Sequence, residues 1–271
     1  MNSPAEPEGP PEGAAKRHLS SRRDDLLVRE EPLLLVIHGQ QLLTMRTPGR
    51  DRDLALGFLL GEGIVHAAAD VASMHEKPAD PDAERADELH ITLAKAPNQF
   101  ARSRLQRTHE VRSSCGVCGL SDPQTILEGT PPLLPGVPKV AAARIAELMA
   151  GLRQRQQLFA ATGGCHGALV ADAAGAVRGF GEDVGRHNAL DKAIGEAARS
   201  GTDFTSMIAV LSGRAGYDLV TKCLRVRIPV IVSVSAPSSL AFDLCQAAGA
   251  TLIGFARDDR HQVYCGEGRL V

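Results

Sequence analysis

"MIAVLSGRAGYDLVTKCLRVRIPVIVSVSAPSSLAFDLCQAAGATLIGFAR", residues 207–257, decides the fold. A short apolar run, "MIAVLSG", gives way to "YDLVTKCLRV" with helical spacing, and the cycle repeats through "IPVIVSVS", "SSLAFDLCQAAG" and "TLIGFAR". β-Branched and leucine runs too short for helices, separated by helix-length segments, predict parallel strands covered on both faces. Parallel connectivity carries every strand-to-helix loop to one edge of the sheet, the edge at which open α/β sheets bind ligands. Three loops become candidate contacts. They are Ser212, Gly213, Arg214, Ala215 and Gly216; then Ser235 to Ser239; then Phe255, Ala256, Arg257, Asp258, Asp259 and Arg260. Small residues, hydroxyls and arginines suit a phosphate held by backbone N–H groups and helix N-termini, although glycine and serine are also ordinary turn and capping residues. The chain has no GxxxxGK[ST] loop and no GxGxxG after a strand, so the usual triphosphate and dinucleotide motifs are absent.

Working outward, "CHGALVADAAGAVRGFG" reads as two strands about an Ala-Gly turn. "GRHNALDKAIGEAARSG" reads as a helix with Ala189, Leu190, Ala193, Ile194 and Ala197 as its apolar stripe. Arg186 and His187 at its start could clamp an anion or move a proton; the plainer reading is a capped helix with Asp191 and Lys192 in solvent. A helix is predicted from Lys139 to about Phe159, with Ile145, Leu148, Met149 and Leu152 on one side. Further back, two apolar runs around His38-Gly39 suggest a hairpin, "DRDLALGFLLGEGIV" a helix with Asp51 and Asp53 in its first turn, and "DELHITLA" a strand. Residues 97–137 lack sustained periodicity, end in "GTPPLLPGVP", and read as one long mobile connection. The expected organisation is a disordered tail at 1–30, a smaller α+β region at 31–137 and an α/β core at 138–271.

The 271 residues are ample for a core without disulfides or metal, and 44% hydrophobic with 23% charged residues is ordinary for a soluble protein. A net charge of −2, 3% aromatic residues and no tryptophan argue against nucleic-acid binding. The N-terminal stretch, rich in Pro, Glu and Gly, has no apolar run for a signal peptide or membrane insertion, which points to the cytoplasm. In a reducing compartment the six cysteines are expected free, metal-bound or catalytic. Cys165, Cys223, Cys245 and Cys265 read as packing residues, leaving Cys115 and Cys118 in "VRSSCGVCGLSD".

That CxxC has three readings. Zinc wants four ligands, and the chain has one knuckle, which Cys165 and His166 could complete only in space. A dithiol redox site wants the pair at a helix start, whereas glycines flank it here. Sulfur carriage wants an accessible low-pKa thiol on a mobile loop with a neighbour able to release sulfur, and CxxC beside Arg112 supplies both. Spacing alone leaves all three open.

Together "MRTPG", "DLALGFLLGEGIV", "RSSCGVCG", "TGGCHGA", "EDVGRHNALDKAIG", "SGRAGYDLVTKC" and "VSAPSSLAFDLCQAAGATLIGFAR" resemble the FdhD family, from about Glu31 to Leu270. The resemblance implies a cytoplasmic sulfurtransferase with a mixed sheet flanked by helices, similar to cytidine deaminase, and a homodimer. It implies sulfur taken from a cysteine desulfurase and passed to Mo-bis(molybdopterin guanine dinucleotide), bound as substrate, to activate the formate dehydrogenase catalytic subunit. Cys115 would carry the persulfide and Cys118 assist; the stretch Phe255–Arg260 would bind the cofactor, with no permanently bound metal. The alternatives are a cofactor-binding chaperone without sulfur transfer and a zinc-stabilised binding module.

Overall fold

The computed structural model describes residues 10–79, 86–97, 99–110, 123–258 and 260–271. Ala14–His18 (β1) and Asp24–Val28 (β2) pair as an antiparallel hairpin. Over residues 14–28 this corrects the disordered tail expected at 1–30. Ala14 and Val28 pack with Leu158 and Cys165, so the hairpin's apolar cover comes from far along the chain and leaves no local pattern.

Glu31–Ile37 (β3) and Gln40–Arg46 (β4) form the expected hairpin. His38 and Gly39 both take positive φ, 47° and 79°, as a two-residue turn between twisted strands requires. Asp51–Gly61 (α1) starts on its acidic turn as expected. Val71–Lys77 (β5) and Asp87–Leu93 (β6) complete a four-stranded sheet in the order β4-β3-β6-β5, with β3 and β6 parallel.

Gln99–Glu110 (α2) and Pro123–Ile126 (α3) occupy ground read as a single connection. Ala101 and Leu105, one buried i,i+4 pair in a helix whose other residues apart from Phe100 are polar, are too sparse a stripe to register as periodicity. Cys115 and Cys118 lie between α2 and α3 in sequence and outside the described residues. Ala142–Arg155 (α4) and Gln157–Thr162 (α5) replace the one helix expected there; Gln156, at ψ 65°, breaks it.

The remainder follows the sequence: His166–Asp172 (β7), Val177–Asp183 (β8), Arg186–Arg199 (α6), Met207–Leu211 (β9), Tyr217–Arg225 (α7), Val230–Ser233 (β10), Ser239–Ala248 (α8) and Thr251–Arg257 (β11). Arg260–Cys265 (β12), unread in the sequence, adds an antiparallel edge. The six-stranded order is β12-β11-β10-β9-β7-β8, with β9, β10 and β11 parallel and the rest antiparallel.

Both faces of this mixed sheet are covered, which is why its central strands read as continuous apolar runs. Leu169, Ile208, Val210, Val230 and Val232 face Ile145, Leu148 and Leu152 of α4. Val170, Ala209, Leu211 and Ile231 join Ala189, Leu190, Ala193, Leu219, Val220 and Leu244 of α6, α7 and α8. The same cluster takes in Leu33, Leu35, Leu89 and Ile91 of the smaller sheet through Leu54, Ala55 and Leu59 of α1, so one apolar core runs across the boundary drawn at 137/138. Among the described residues, no helix is long and apolar enough to cross a membrane.

Candidate functional site

The loops after β9, β10 and β11 meet at one edge, as parallel connectivity requires. Ala215 and Pro237 form a bridge, and the Ser238 N–H donates to the Ala215 carbonyl at 3.0 Å. The Ser233 hydroxyl donates to the Gly213 carbonyl at 2.6 Å, and the Phe255 N–H reaches Ser235. On the other flank the Ser212 hydroxyl accepts from the Gly167 N–H at 2.8 Å, bringing the start of β7 to the same edge. The N-termini of α6, α7 and α8 open here. Gly185 and Gly216 stand at the first two as N-caps and contribute no side-chain hydrogen bond.

At the tip of the β11–β12 hairpin the ladder is interrupted between Gly254 and Arg257. Phe255 and Asp258 take φ of 50° and 52°, conformations that cost a non-glycine residue energy. Phe255 is 51% exposed, an aromatic ring held out at a polar edge, and Arg257, Asp258 and Arg260 are exposed beside it. Ala256, by contrast, is buried in the core beneath α4, so within the predicted stretch its side chain faces away from any ligand. Asp259 lies outside the described residues. Arg214 is exposed in the first loop, and Ser212 and Gly213 are half-buried.

His187 and Arg186 both reach Asp218 in the first turn of α7. The His187 Nε2 hydrogen-bonds to Asp218 Oδ2, and an Arg186 Nη lies 3.2 Å from the same oxygen. Burial works to raise the Asp218 carboxyl, but the hydrogen bond and charge of His187, the Leu219 N–H and Arg186 outweigh it and hold the carboxyl well below the usual range. His166, weighed from the sequence only as a possible zinc ligand with Cys165, stands beside Gly213: a Cβ there would lie 3.3 Å from its Nδ1. Burial, then the charges of Arg186 and His187, depress its pKa, leaving a neutral imidazole at pH 7. The edge thus offers arginines, an Asp–His pair, a neutral histidine, hydroxyls and helix N-termini, a set suited to an anionic, phosphate-bearing ligand with one aromatic base.

Behind the edge, the loop after β4 is latched onto the start of α6. Lys192 Nζ lies 2.8 Å from Asp183 Oδ2 and donates to the Thr47 carbonyl at 2.8 Å. Asp183 accepts from the Thr47, Gly185 and Asn188 donors, and the Val184 N–H donates to the Thr47 hydroxyl. Lys192 and Asp191, each 2% exposed, are not solvated as the plainer reading had them. Asp191 takes Lys222 Nζ at 2.9 and 3.0 Å, and Glu62 takes the same ammonium at 3.0 Å. Burial opposes the Lys222 charge, but Asp191 and Glu62 outweigh it and keep the ammonium protonated. Burial pushes the Asp191 carboxyl up to about 6, against the pull of Lys222.

Cys165 is buried, its thiol 3.4 Å from Glu182 Oε1, and burial followed by the Glu182 charge pushes its pKa up to about 12. A thiol buried in this way fits packing. Cys223 and Cys245 are fully buried, as read from the sequence. Among the described residues no group of three or more His, Cys, Asp or Glu is gathered as a metal ion would require.

Residues 28–271 match the FdhD/NarQ family. The sulfur carrier protein FdhD of Anaeromyxobacter dehalogenans strain 2CP-C is 40% identical over 259 residues, covering 91% of this chain and 88% of the relative. That of Nocardia farcinica is 42% identical over 255 residues, covering 92% and 89%. That of Mycobacterium tuberculosis is 38% identical over 265 residues, covering 94% and 96%. A solved structure from Desulfotalea psychrophila, described as a formate dehydrogenase accessory protein, matches with a TM-score of 0.71 over 95% of this chain and 97% of that chain. At 23% identity this is a likeness of fold.

Proposed function

The chain belongs to the FdhD/NarQ family, and from that premise we propose that it is a sulfur carrier that activates formate dehydrogenase by sulfurating its molybdenum cofactor. The observation that carries this reading is identity of about 40% across nine-tenths of the chain to proteins named sulfur carriers. The ligand edge supports it, because a cofactor with guanine dinucleotide ends brings pyrophosphates and aromatic bases, the chemistry that the arginines, helix N-termini and Phe255 suit.

In this reading the Cys115 thiolate attacks the outer sulfur of a persulfide on a cysteine desulfurase. The donor's S–S bond breaks, the donor leaves as a thiolate, and Cys115 holds the persulfide. With Mo-bis(molybdopterin guanine dinucleotide) bound as substrate at the edge, Cys118 attacks the Cys115 sulfur. The outer sulfur leaves at the sulfide level for the cofactor, and a Cys115–Cys118 disulfide remains for a cellular thiol to reduce. Arg186, Arg214, Arg257 and Arg260 hold phosphates, and the Asp218–His187 pair fixes the start of α6 against α7. The reaction takes place in the cytoplasm, on a homodimer, before the cofactor enters the dehydrogenase.

The test is formate dehydrogenase activity in cells whose own carrier gene is deleted. Complementation by this chain is expected to restore activity and by Cys115→Ala to leave none; equal activity from Cys115→Ala would favour a cofactor chaperone that transfers no sulfur.

A further inference from the structure

Away from the ligand edge, α8 packs against β12, and each element carries a cysteine. Cys245 is fully buried in the α8 face, while Cys265 is only half-buried. The backbone around Ala250 draws them together: its N–H donates to the Cys245 carbonyl at 2.8 Å, and its carbonyl lies 3.6 Å from the Cys265 sulfur. Cys265 also packs against the apolar cluster that contains Cys245. The outer of the two, Cys265, lines a surface recess of about 490 Å³ with Tyr264, Gln246 and Glu267. Sulfur carriage as proposed above uses neither thiol.

We propose that Cys265 and Cys245 form a second dithiol centre, in which Cys265 reacts at the recess with a low-molecular-weight disulfide and Cys245 resolves the adduct to a Cys245–Cys265 disulfide. The roles follow from access: Cys265 lines the recess, where a small disulfide can reach it, while Cys245 is fully buried behind it, so Cys265 is the thiol that attacks first. Cys265 attacks one sulfur of RS–SR; a protein–SR bond forms, the RS–SR bond breaks, and one thiolate leaves with the proton that Cys265 gave up. Cys245 then loses its proton and attacks the Cys265 sulfur, expelling the second RS⁻, which takes that proton. Two protein thiols are oxidised by two electrons, and one small disulfide is reduced to two thiols. Oxidation ties the end of α8 to β12, the strand that leaves the Phe255–Arg260 loop.

The test uses the full chain with Cys115→Ser and Cys118→Ser, so that the result is independent of sulfur carriage, and glutathione disulfide as the probe. After treatment the remaining thiols are alkylated and the peptides weighed. The expected result is loss of two alkylatable thiols and a linked peptide joining Cys245 to Cys265. Adding Cys245→Ser is expected to stop the reaction at a glutathione adduct on Cys265. The proposal is overturned if Cys265 alkylates to the same extent before and after treatment, or if glutathione lodges on other cysteines while Cys265 stays free. The chain that retains both residues decides the matter even if the Cys245→Ser protein does not fold.

Discussion

Gly57 in α1 lies so close to Asp191 in α6 that a Cβ on the glycine would stand 1.8 Å from the Asp191 carbonyl oxygen. The contact is reciprocated one turn along, where a Cβ on Gly195 would stand 1.9 Å from the Asp53 carbonyl. Two helix backbones in contact at two points join the smaller sheet to the larger one, because α1 carries the first and α6 the second. They also bring Asp191 under cover, where its carboxylate must find the Lys222 ammonium.

Gly57→Ala is therefore expected to force α1 and α6 apart and to lower stability by at least about 2 kcal/mol, since overpacking against backbone has no flexible side chain to absorb it. Gly268→Ala, where nothing lies within 4 Å of the added carbon, is the control and is expected to be neutral. Urea denaturation of both variants measures the difference. A Gly57→Ala midpoint equal to that of the wild type would contradict the close approach.

Lys222→Met removes the cation that Asp191 and Glu62 share, and breaking a buried pair from one side costs about 3–5 kcal/mol. The sign of its pH dependence follows from Asp191, whose carboxyl is raised to about 6 in the folded chain, above the usual value near 3.9. The folded state binds that proton more tightly than the unfolded state, so this group makes stability fall as pH rises through the window between them. Without Lys222 the carboxyl rises further. Lys222→Met is thus expected to be more destabilised at pH 8 than at pH 5, where Asp191 can be neutral, as read by denaturation at both values. A penalty that grows on acidification would show that Asp191 is not the group left unpaired.

Phe255 is exposed with a left-handed backbone at a polar edge, a placement that apolar burial does not explain. If it stacks on a base of the bound ligand, Phe255→Ala should weaken guanosine diphosphate, used as a probe, by about tenfold, the low end of what a base stacked on an aromatic ring contributes. Calorimetric titration measures it. An unchanged affinity, with Arg257→Ala and Arg260→Ala also silent, would place the ligand elsewhere.

How much was legible in the sequence differs by element, for physical reasons. The β9–α7–β10–α8–β11 series is plain because strands buried on both faces must be apolar throughout, and the loops that follow them are fixed to one edge by connectivity. The β1–β2 hairpin is hidden because its apolar cover, Leu158, is distant in sequence, and β12 because it is an exposed to half-buried edge strand with no apolar run. Lys192 and Asp191 look like solvent residues on a polar helix. Their burial comes from Thr47 and Lys222, neither of which local spacing can reveal. Asp218 was within reach of the sequence, in the first turn after the Gly216 cap, and His166, weighed there only for zinc, opens the strand that meets Ser212. The roles of Cys115 and Cys118 came from the resemblance, since the thiol pair by itself leaves zinc, redox and sulfur carriage open.

Cys115 as the sulfur carrier is tested most directly by incubating the purified chain with a cysteine desulfurase and cysteine, then weighing the peptide that contains Cys115 before and after a reductant. The expected result is a gain of one sulfur atom on that peptide, removed by the reductant and absent in Cys115→Ser while Cys118→Ser retains it. A Cys115 peptide of unchanged mass, with the added sulfur found on another cysteine or on none, would contradict it.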